Sequence, residues 1–401
     1  MIVTKEKTRF VQLGEITKAL ESGGRPSGGD EGLITGVPSL GGEHIGNDGG
    51  FRLNSPRLIP DSYYAQMTKG RIQPWDILIV KDGATTGKVS IVRDNFPFKR
   101  AAINEHLFLL KIDETQADPV YVFHFLFSDM GKAQILKDFR GATVGGISRG
   151  FTSLVTLPLP ALKEQKRIAA ILDKADAIRR QRWEAISNTR ALAVSAIEFE
   201  LGVLSANRLN TATLESVCNK ITDGTHLTPT FHTEGIPFIF VKNIDNQRIN
   251  FETSKFIDAT TYDRLTKSTK IELGDVLYTT VGATYGQAAL VETTNRFAFQ
   301  RHLAHLKPNK NVIVPAYLAA VMNLPRIKWQ ADRWARGAAQ PTINLTELRQ
   351  MVVPVPPLDD QVRIASIRRK CDSLLEKLEI GLKMDEQLFN SLVQRAFKGE
   401  L

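Results

Sequence analysis

The segment with the clearest chemical potential is glycine-rich and reads Gly83-Ala84-Thr85-Thr86-Gly87-Lys88. Its glycines and lysine resemble a loop that wraps the phosphates of a nucleotide, which would make the protein an NTPase. Such a loop needs four residues between its glycines and a Ser or Thr after the lysine, whereas here three residues separate the glycines and Val89 follows. We therefore interpret the segment as a tight turn, with Lys81 and Lys88 as candidate phosphate contacts.

The histidines do not have the spacing of a metal site. His226 and His232 are six residues apart, and His302 and His305 are three apart, without the cysteine or acidic partners that zinc requires. We interpret them as structural histidines. The sequence also lacks an Asn-Pro-Pro-aromatic methylase motif and a recognisable Ser or Cys nucleophile. It therefore predicts neither a catalytic site nor a metal site in this chain.

Composition favours a folded, basic, two- or three-domain protein. A chain of 401 residues exceeds the usual size of one hydrophobic core, and 42% hydrophobic residues exclude a disordered class. The formal net charge of +9 suits a partner rich in phosphate. There is no signal-like apolar run at the N-terminus, and Cys218 and Cys371 are the only cysteines. These features predict a cytoplasmic protein in a reducing compartment.

The most informative feature is that the chain is a tandem duplication. The matched segments of the first and second halves are Gly36-Val37-Pro38 with Gly235-Ile236-Pro237, Ile45 with Ile244, Tyr63 with Tyr262, Asp76-Ile77-Leu78 with Asp275-Val276-Leu277, Gly83 to Gly87 with Gly282 to Gly286, His106-Leu107 with His302-Leu303, Pro119 and Tyr121 with Pro315 and Tyr317, Arg140-Gly141-Ala142 with Arg336-Gly337-Ala338, Ile147 with Ile343, and Pro158 to Ala169 with Pro354 to Ala365. Chance does not explain this agreement.

Each half is predicted to be a globular module followed by a long helix. Alternating runs predict strands over Asp76–Val80 and Ala288–Val291, and short helices are expected over Val120–Leu126 and Pro315–Met322. Proline clusters are expected to end each module, because proline removes a backbone donor. These clusters are Pro158 with Pro160, and Pro354 with Pro356 and Pro357.

Beyond the prolines, apolar residues recur at alternating spacings of three and four, which is typical of a helix pair. The predicted first stripe is Ile168, Ile171, Ala175, Ile178, Arg182, Ala185, Thr189 and Leu192. The second is Ile364, Ile367, Cys371, Leu374 and Leu378, widened by Leu375, Leu382, Leu388 and Leu392. Either each helix packs on its own module, or the two helices pack on each other. The narrow, equally long stripes favour the second arrangement.

The predicted fold is therefore α+β, with two tandem α/β modules, each followed by a long helix, and the helices paired as an antiparallel coiled coil. The predicted boundaries are residues 1–157 for the first module, 158–207 for a central helical spacer, 208–353 for the second module and 354–401 for a C-terminal helical spacer. Two similar modules on a helix pair suit a duplex, because dimeric DNA readers place two recognition elements on related half-sites. Divergent modules predict an asymmetric, bipartite target.

The chain resembles the specificity subunit of type I restriction-modification systems along essentially its whole length. The resemblance is carried by the tandem layout, the Pro-x-Pro-x-Leu-x-x-Gln-x-x-Ile-Ala motif beginning at Pro158 and at Pro354, the Asp223-Gly224-Thr225-His226 turn with Pro229, and the C-terminal Ala396-Phe397-Lys398-Gly399-Glu400-Leu401. The first module departs from the Asp-Gly-x-His form, since it has Gly23-Gly24-Arg25-Pro26-Ser27-Gly28-Gly29 there.

The resemblance implies two target-recognition domains that bind double-stranded DNA, separated by helices that act as a ruler and dock methyltransferase subunits. Restriction subunits would join through that complex. The chemistry would belong to these partners, which use S-adenosylmethionine, ATP and magnesium, so no cofactor is expected in this chain. The alternative from another class is a free-standing two-module DNA-binding regulator.

Comparison of the two copies indicates candidate DNA contacts, because shared residues position a module and divergent loop residues specify bases. Arg140 and Arg336 are shared, and either contact phosphate or form structural salt bridges. Gln340 and Asn344 suit adenine, and Arg149 suits guanine. The full candidate set is Lys81, Thr85, Thr86, Lys88, Arg140, Thr143, Ser148, Arg149, Thr284, Tyr285, Gln287, Arg336, Gln340, Thr342 and Asn344. On the first helix, Lys174, Arg179, Arg180 and Arg182 are either a solvated face or contacts to DNA or methyltransferase.

Overall fold

The chain folds into two compact units. The computed structural model describes residues 9–26, 33–141, 145–205, 209–267, 270–282, 284–337 and 341–401. The first unit comprises Met1–Glu184 with Glu379–Leu401, and the second comprises Ala185–Leu378. Each unit therefore contains one module and the facing ends of two long helices. None of the helices in the described ranges is long and apolar enough to span a membrane.

The first module runs from Arg9 to Leu159 and leads into the first long helix. Its elements in chain order are β1 Arg9–Gln12, β2 Thr17–Ser22, β3 Val37–Leu40, β4 Arg57–Ile59, α1 Asp61–Gln66, β5 Ile77–Val80, β6 Val89–Ile91, β7 Ala102–Ile103, β8 Leu107–Ile112, α2 Pro119–Phe127, α3 Asp129–Ile135, α4 Phe151–Leu154, β9 Thr156–Leu159 and the long helix α5 Leu162–Ser205. Short 3-10 turns cover Leu13–Ile16, Gly42–His44 and Leu136–Asp138.

The second module repeats this order. Its elements are β10 Asn210–Thr213, α6 Leu214–Val217, β11 Cys218–Asp223, β12 Ile236–Ile239, β13 Ile244–Asp245, β14 Arg248–Ile249, β15 Phe256–Ile257, α7 Ala259–Thr266, β16 Val276–Thr279, β17 Ala288–Leu290, β18 Ala298–Phe299, β19 Leu303–Pro308, α8 Pro315–Met322, α9 Pro325–Trp334, α10 Leu345–Gln350, β20 Val352–Val355 and the long helix α11 Leu358–Lys398. A 3-10 turn covers Val241–Asn243.

The two modules have the same sheet topology, as the repeat predicts. The first has a four-stranded antiparallel sheet in the order β2-β8-β5-β6, a three-stranded sheet β4-β3-β7 and a strand pair β1-β9. The second has β11-β19-β16-β17, β15-β12-β18 and β10-β20 in the corresponding places. The pairs β3-β7 and β12-β18 are parallel. The predicted mixed helix and strand fold with two tandem modules is thus confirmed.

The central strand of each large sheet is buried on both faces. In β5, Ile77 and Ile79 pack into the core that includes α2, whereas Leu78 and Val80 pack into a second core with β3. The second module divides β16 in the same way, with Tyr278 on one side and Leu277 on the other. Successive side chains of a strand point to opposite faces, so a continuous apolar run is required here.

The first proline of each motif lies inside the last strand of its module. Pro158 lies inside β9 and pairs opposite Phe10 of β1, and Pro354 lies in the same place in β20. A proline fits there because each strand has a partner on one edge only, so no ladder donor is lost. The Pro158 carbonyl accepts a hydrogen bond of 2.8 Å from the Tyr121 hydroxyl, and Tyr317 bonds the Pro354 carbonyl at 3.0 Å.

The glutamine of the repeated motif ties each long helix to its module. Fully buried Gln165 accepts from the Asp118 amide at 2.9 Å, and its side-chain amide donates to the Gln116 and Pro160 carbonyls. Gln361 makes the same three bonds, to the Val314 amide and the Val312 and Pro356 carbonyls. A buried glutamine that satisfies three backbone groups explains why this residue recurs at the start of both helices.

The two long helices pack on each other and on the modules. In the first unit, Arg182 of α5 bonds Asp385 of α11 at 3.0 Å, and Arg179 lies over the Phe389 ring at 4.9 Å. Rising numbers on α5 thus meet falling numbers on α11, which is the predicted antiparallel order. In the second unit, Arg363 of α11 pairs with Glu200 of α5. The two arrangements that the sequence left open therefore occur together, because residues of both helices also enter the module cores.

Part of each predicted helix stripe is buried as expected. In the other part, the buried residues lie one position after the predicted ones. Residues of the predicted row, such as Ile168, Ala175 and Thr189, are buried, but Ile178 and Leu192 are exposed and Ile171 and Ala185 are only half-buried. The second row on α5 is Leu172, Arg179, Ile186 and Ala193; on α11, Leu375 and Leu382 are buried while Leu374 and Leu388 are exposed. Residues three and four positions away flank the same helix face, so the spacing alone does not choose between them.

The arginines of α5 are not a freely solvated face. Arg179 and Arg180 both bond Asp176, at 2.5 and 2.6 Å, and Arg182 bonds Asp385. The Asp176 carboxylate is almost fully buried. Each of these three arginines is therefore paired with a carboxylate on one of the two long helices.

One pair of equivalent aspartates carries opposite pKa shifts. Burial raises the pKa of Asp76, and the adjacent Lys111 offsets only part of that effect. Burial acts on Asp275 in the same direction, but hydrogen bonds from His305, the Glu272 amide and Lys307 outweigh it and lower its pKa. The difference arises because Leu109 stands where the second module has His305.

We predict that replacing either motif glutamine destabilises its unit. Gln165→Ala leaves one amide and two carbonyls without their partner, which costs about 2–4 kcal/mol of unfolding free energy. Gln361→Ala has the same effect in the second unit. Chemical denaturation measures both. Gln181→Ala, at an exposed position of the same helix, is the control and should change stability by less than about 0.5 kcal/mol. Equal effects of Gln165→Ala and Gln181→Ala would contradict this role.

We also predict opposite pH dependences for the two aspartates. Asp275 has a folded pKa below the unfolded one, so its stabilisation is present above about pH 4 and is lost as the pH falls through the folded pKa. Asp76 has a raised folded pKa, so its ionisation above about pH 4 costs stability. Relative to the wild type, Asp275→Asn should become more destabilising, and Asp76→Asn less destabilising, as the pH rises from 3 to 7. Unfolding temperatures over that range measure both, and parallel curves would refute the assignment.

Candidate nucleic-acid interface

The glycine-rich turn and the Arg-Gly-Ala segment, far apart in sequence, lie side by side. The Gly83 amide donates to the Gly145 carbonyl at 3.1 Å, and the Ile147 amide donates to the Lys81 carbonyl at 2.8 Å. Arg140 and Gly146 exchange two backbone hydrogen bonds of 2.9 Å. The turn after β5, Arg140 and the backbone of residues 145–147 therefore lie together on one surface, which joins two of the sequence-predicted segments.

Gly146 packs closely against the backbone of the glycine-rich turn, although the equivalent position of the second module accommodates Thr342. A Cβ atom at Gly146 would lie 2.8 Å from the Lys81 carbonyl oxygen. The second module makes the same contacts with Thr342, whose backbone exchanges bonds of 3.0 Å with Arg336, while the Ile343 amide donates to the Thr280 carbonyl. The two surfaces therefore share a backbone frame and differ in side chains.

The shared arginines stand on this frame with their guanidinium groups exposed. Arg140 is bonded to Asp138 at 3.1 Å and Arg336 to Glu347 at 3.2 Å, yet their side chains are 79% and 77% exposed. In the first module the acidic partner precedes the arginine by two positions, whereas in the second module it follows the arginine by eleven positions. A purely structural ion pair would retain both members, whereas here only the arginine is retained.

A third segment, which sequence reasoning missed, joins the same surface. The Lys81 amide donates to the His106 carbonyl at 2.9 Å, and the Thr280 amide donates to the His302 carbonyl at 3.0 Å. The His106 ring contacts Asp82 at 2.5 Å. The match of His106-Leu107 with His302-Leu303 was the available signal, but its position beside the turn depends on the pairing of β5 with β8.

The Asp-Gly-Thr-His turn completes the surface of the second module. The Thr225 amide donates to the Phe299 carbonyl at 3.0 Å, and the Arg301 amide donates to the Thr225 carbonyl at 3.1 Å. His226 bonds Asp223 at 2.8 Å. Burial lowers the pKa of the neighbouring His302, and the charges of Arg301 and His226 act in the same direction.

The first module has an equivalent turn despite its different sequence. A Cβ at Gly23 would lie 1.9 Å from the Ile103 carbonyl oxygen, and one at Gly224 would lie 2.2 Å from the Phe299 oxygen, so both positions require glycine. Strand pairing places Ser22 where the second module has Asp223. Arg25 therefore takes the place of His226, and it pairs with Glu105 at 2.6 Å.

Two adjoining recesses open on the surface of the second module. One of about 310 Å³ is lined by Val241, Lys242, Lys255, Gly282 and His302, and one of about 150 Å³ is lined by the 225–229 turn with Phe231 and Arg301. Phe240 and Gln300 line both. The concave surface thus combines basic, amide and aromatic groups, which can contact phosphates and base edges.

The predicted residues of the first turn do not all reach this surface. Lys81 is near Asp82 at 3.7 Å and lies over the Phe108 ring, and Thr86 donates to the Gly83 carbonyl at 2.7 Å within the turn. Thr85 is half-buried. Lys88 instead lines a cavity of about 550 Å³ with Arg179 and Phe389 of the long helices. The structure therefore separates Lys88 from the Arg140 loop.

Some of the candidate DNA contacts that follow Arg140 and Arg336 form hydrogen bonds within the chain. Both the amide and the hydroxyl of Ser148 donate to Asp138, at 2.6 and 2.7 Å, and Arg149 donates to the Leu20 carbonyl at 2.7 Å while remaining exposed. Asn344 occupies the position of Ser148 and is exposed just before α10, where its carbonyl accepts from Leu348. Thr342 is half-buried. Two further candidates, Thr143 and Gln340, lie outside the described residues.

The candidates on the second glycine turn mostly face inward. Tyr285 is buried beneath Lys328, 4.7 Å from its ring, and burial raises the pKa of Tyr285 to about 12. Gln287 accepts from the Gln247 amide on the side of α11. Thr284 is half-buried, and its hydroxyl donates to the Val241 carbonyl at 3.4 Å.

The seven histidines differ in exposure. His44, His124 and His305 are buried, His302 is half-buried, and His106, His226 and His232 have exposed side chains that each lie beside a carboxylate. The interpretation of the histidines as structural residues stays a prediction. Across the described ranges, no cluster of three or more His, Cys, Asp or Glu residues has the arrangement of a metal site.

Comparison with known proteins agrees with this architecture. The family model of the type I restriction modification DNA specificity domain matches residues 5–188 and 209–383. The chain is 22% identical over 378 residues to the type I restriction enzyme EcoBI specificity subunit of Escherichia coli, covering 86% of this chain and 76% of that one. It is 21% identical over 311 residues to the EcoKI specificity subunit of Escherichia coli strain K12, covering 70% and 65%.

Solved structures show the same fold. The S subunit of a type I restriction-modification system from M. genitalium superposes with a TM-score of 0.58 at 17% identity, covering 99% of this chain and 98% of that one. The family model matches both halves of the chain, and each match contains one module with its retained arginine. The chain therefore belongs to the type I restriction modification DNA specificity family.

Proposed function

We propose that this chain reads a bipartite, asymmetric DNA sequence, one half with each module, and brings methyltransferase and restriction subunits to it. The chain itself catalyses no reaction. Methyl transfer from S-adenosylmethionine and ATP- and magnesium-dependent cleavage belong to the partner subunits, and the complex acts in the cytoplasm. The relatives named specificity subunits of type I restriction enzymes support this assignment.

The observation that carries the proposal is the exposed arginine retained in both modules beside divergent loops. Arg140 and Arg336 stand on the same backbone frame with different acidic partners. A retained, exposed cation suits phosphate, which every DNA sequence presents, whereas the neighbouring Ser148 and Asn344 differ and suit base readout. One module supplies one such surface, so two modules with different side chains support two different half-sites.

The first test is to sequence methylated genomic DNA by a single-molecule method from cells that carry this chain with its methyltransferase subunit. We expect a split methylated motif with a fixed gap. Replacing the first module by that of another specificity subunit should change one half of the motif, and replacing the second should change the other. Absence of new methylation by a soluble, assembled complex would refute the proposal and favour a free-standing DNA-binding regulator.

We predict that Arg140→Ala and Arg336→Ala weaken binding to all DNA sequences by a similar factor. A lost phosphate contact reduces the slope of log affinity against log salt by about 1 for each arginine, without relaxing the recognised motif. Titration of the assembled complex with cognate and unrelated duplexes, at several salt concentrations, measures this.

Arg167→Ala provides the matched control, because Arg167 is another exposed arginine in an ion pair, with Glu164 at 2.7 Å. It lies on α5, outside the module surface, and should leave the salt slope unchanged. If Arg140→Ala instead changed only the motif and not the salt slope, Arg140 would be a base-reading residue.

A further inference from the structure

The seam where each module rests on its long helix has opposite charge polarity in the two units. In the first unit, Arg93 follows β6 and forms two hydrogen bonds of 2.7 Å with both carboxylate oxygens of Asp173 on α5. The module therefore supplies the cation and the helix supplies the anion. Such a two-point bond between guanidinium and carboxylate is geometrically specific.

His124 strengthens this seam from inside the module. Its Nε2 atom lies 2.7 Å from Asp173, and its ring is fully buried. Burial alone would raise the pKa of Asp173, but His124 and Arg93 outweigh it and lower that pKa to about 2. Asp173 is thus a stable anion that two groups of the first module recognise.

The second unit has the opposite charge at two of these three positions and an alanine at the third. The pairing registers place Glu292 at the position of Arg93, because the Val92 and Val291 amides before them bond the equivalent Asp76 and Asp275 carbonyls. The equal contacts of Gln165 and Gln361 fix the helix register and place Arg369 at the position of Asp173. Glu292 and Arg369 line the same cavity of about 110 Å³, and Ala320, which replaces His124, lines it as well. Both charged residues, which lie in the described ranges, are exposed and form no ion pair with each other.

A second contact across the seam also differs between the units. In the first unit, Arg179 of α5 donates to the Asp48 carbonyl of the module at 3.1 Å. In the second unit, Arg248 of the module donates to the Asp372 carbonyl of α11 at 2.8 Å, and Arg368 of α11 donates to the Gln247 side chain of the module. The charges at the two equivalent positions, rather than the direction of the hydrogen bonds, therefore distinguish the seams.

We propose that this polarity makes the first module specific for α5. The first module fits a helix face that presents Asp173 and is repelled by one that presents Arg369, where Arg93 would meet a like charge. The second module is repelled by α5, because Glu292 would meet the Asp173 carboxylate there and Ala320 would not replace the contact of His124. Like charges that are brought together at a partly buried contact disfavour the wrong pairing, whether within one chain or between two copies.

The inference predicts a compensating charge reversal in the full-length chain. Arg93→Glu and Asp173→Arg should each lower the unfolding temperature of the first unit by about 5 °C, because each places like charges in contact. The double variant Arg93→Glu/Asp173→Arg copies the polarity of the second seam and should recover at least half of that loss. Additive losses would overturn the proposal. The pair Arg167→Glu and Glu164→Arg is the control, and we expect changes near zero there.

A module exchange tests the selectivity directly, even if a single variant of the first seam fails to fold. In a chain with the two modules exchanged in order and the helices unchanged, both seams have like charges, so the unfolding temperature should fall. Adding Asp173→Arg and Arg369→Asp should restore it. If the exchanged chain is as stable as the wild type, or if the two helix changes do not restore it, the charge polarity does not select the pairing.

Discussion

The fold depends on the need of the two long helices to bury their apolar stripes. Neither α5 nor α11 could remain in water, because their stripes include Leu172, Ile197 and Leu375. Part of each stripe is covered by the other helix and part by a module, so helix and module cannot separate without exposing both. In each unit, one buried glutamine holds the start of the helix against the module. Gln165 and Gln361 each form hydrogen bonds with three backbone groups where the module ends and its helix begins.

Duplication then explains why the candidate DNA surface occurs twice on one frame. Residues that the two copies share mostly satisfy backbone groups, such as the tyrosines that bond the strand prolines, or adopt a positive φ, such as Gly83 and Gly87 with φ of 89° and 84°. Arg140 and Arg336 are the exception, because they are shared and exposed. Divergence is concentrated in the side chains around them, which permits a new specificity without a change of fold.

The same duplication allowed buried electrostatics to diverge. Asp76 and Asp275 occupy one position, but His305 beside the latter reverses the direction of its pKa shift. At the seams, Arg93 and Asp173 form an ion pair, whereas the equivalent Glu292 and Arg369 have the opposite signs and are exposed. Removing one member of a partly buried ion pair leaves the other without its partner, so a charge change at Arg93 is expected to be accompanied by one at Asp173.

The sequence by itself determined the duplication, the two modules, the existence of both long helices and the occurrence of the same arginine in both copies. These follow from periodicity and from matched segments, which are local properties of the chain. It did not determine which row of each helix stripe is buried, since Ile171 and Leu172 both satisfy the spacing. Nor did it identify Gly23 as the residue of the first module that is equivalent to Gly224, or predict that His106 and His302 lie beside the glycine turns. Only the tertiary structure decided these points, because they depend on strand pairing and side-chain packing between segments that are distant in sequence.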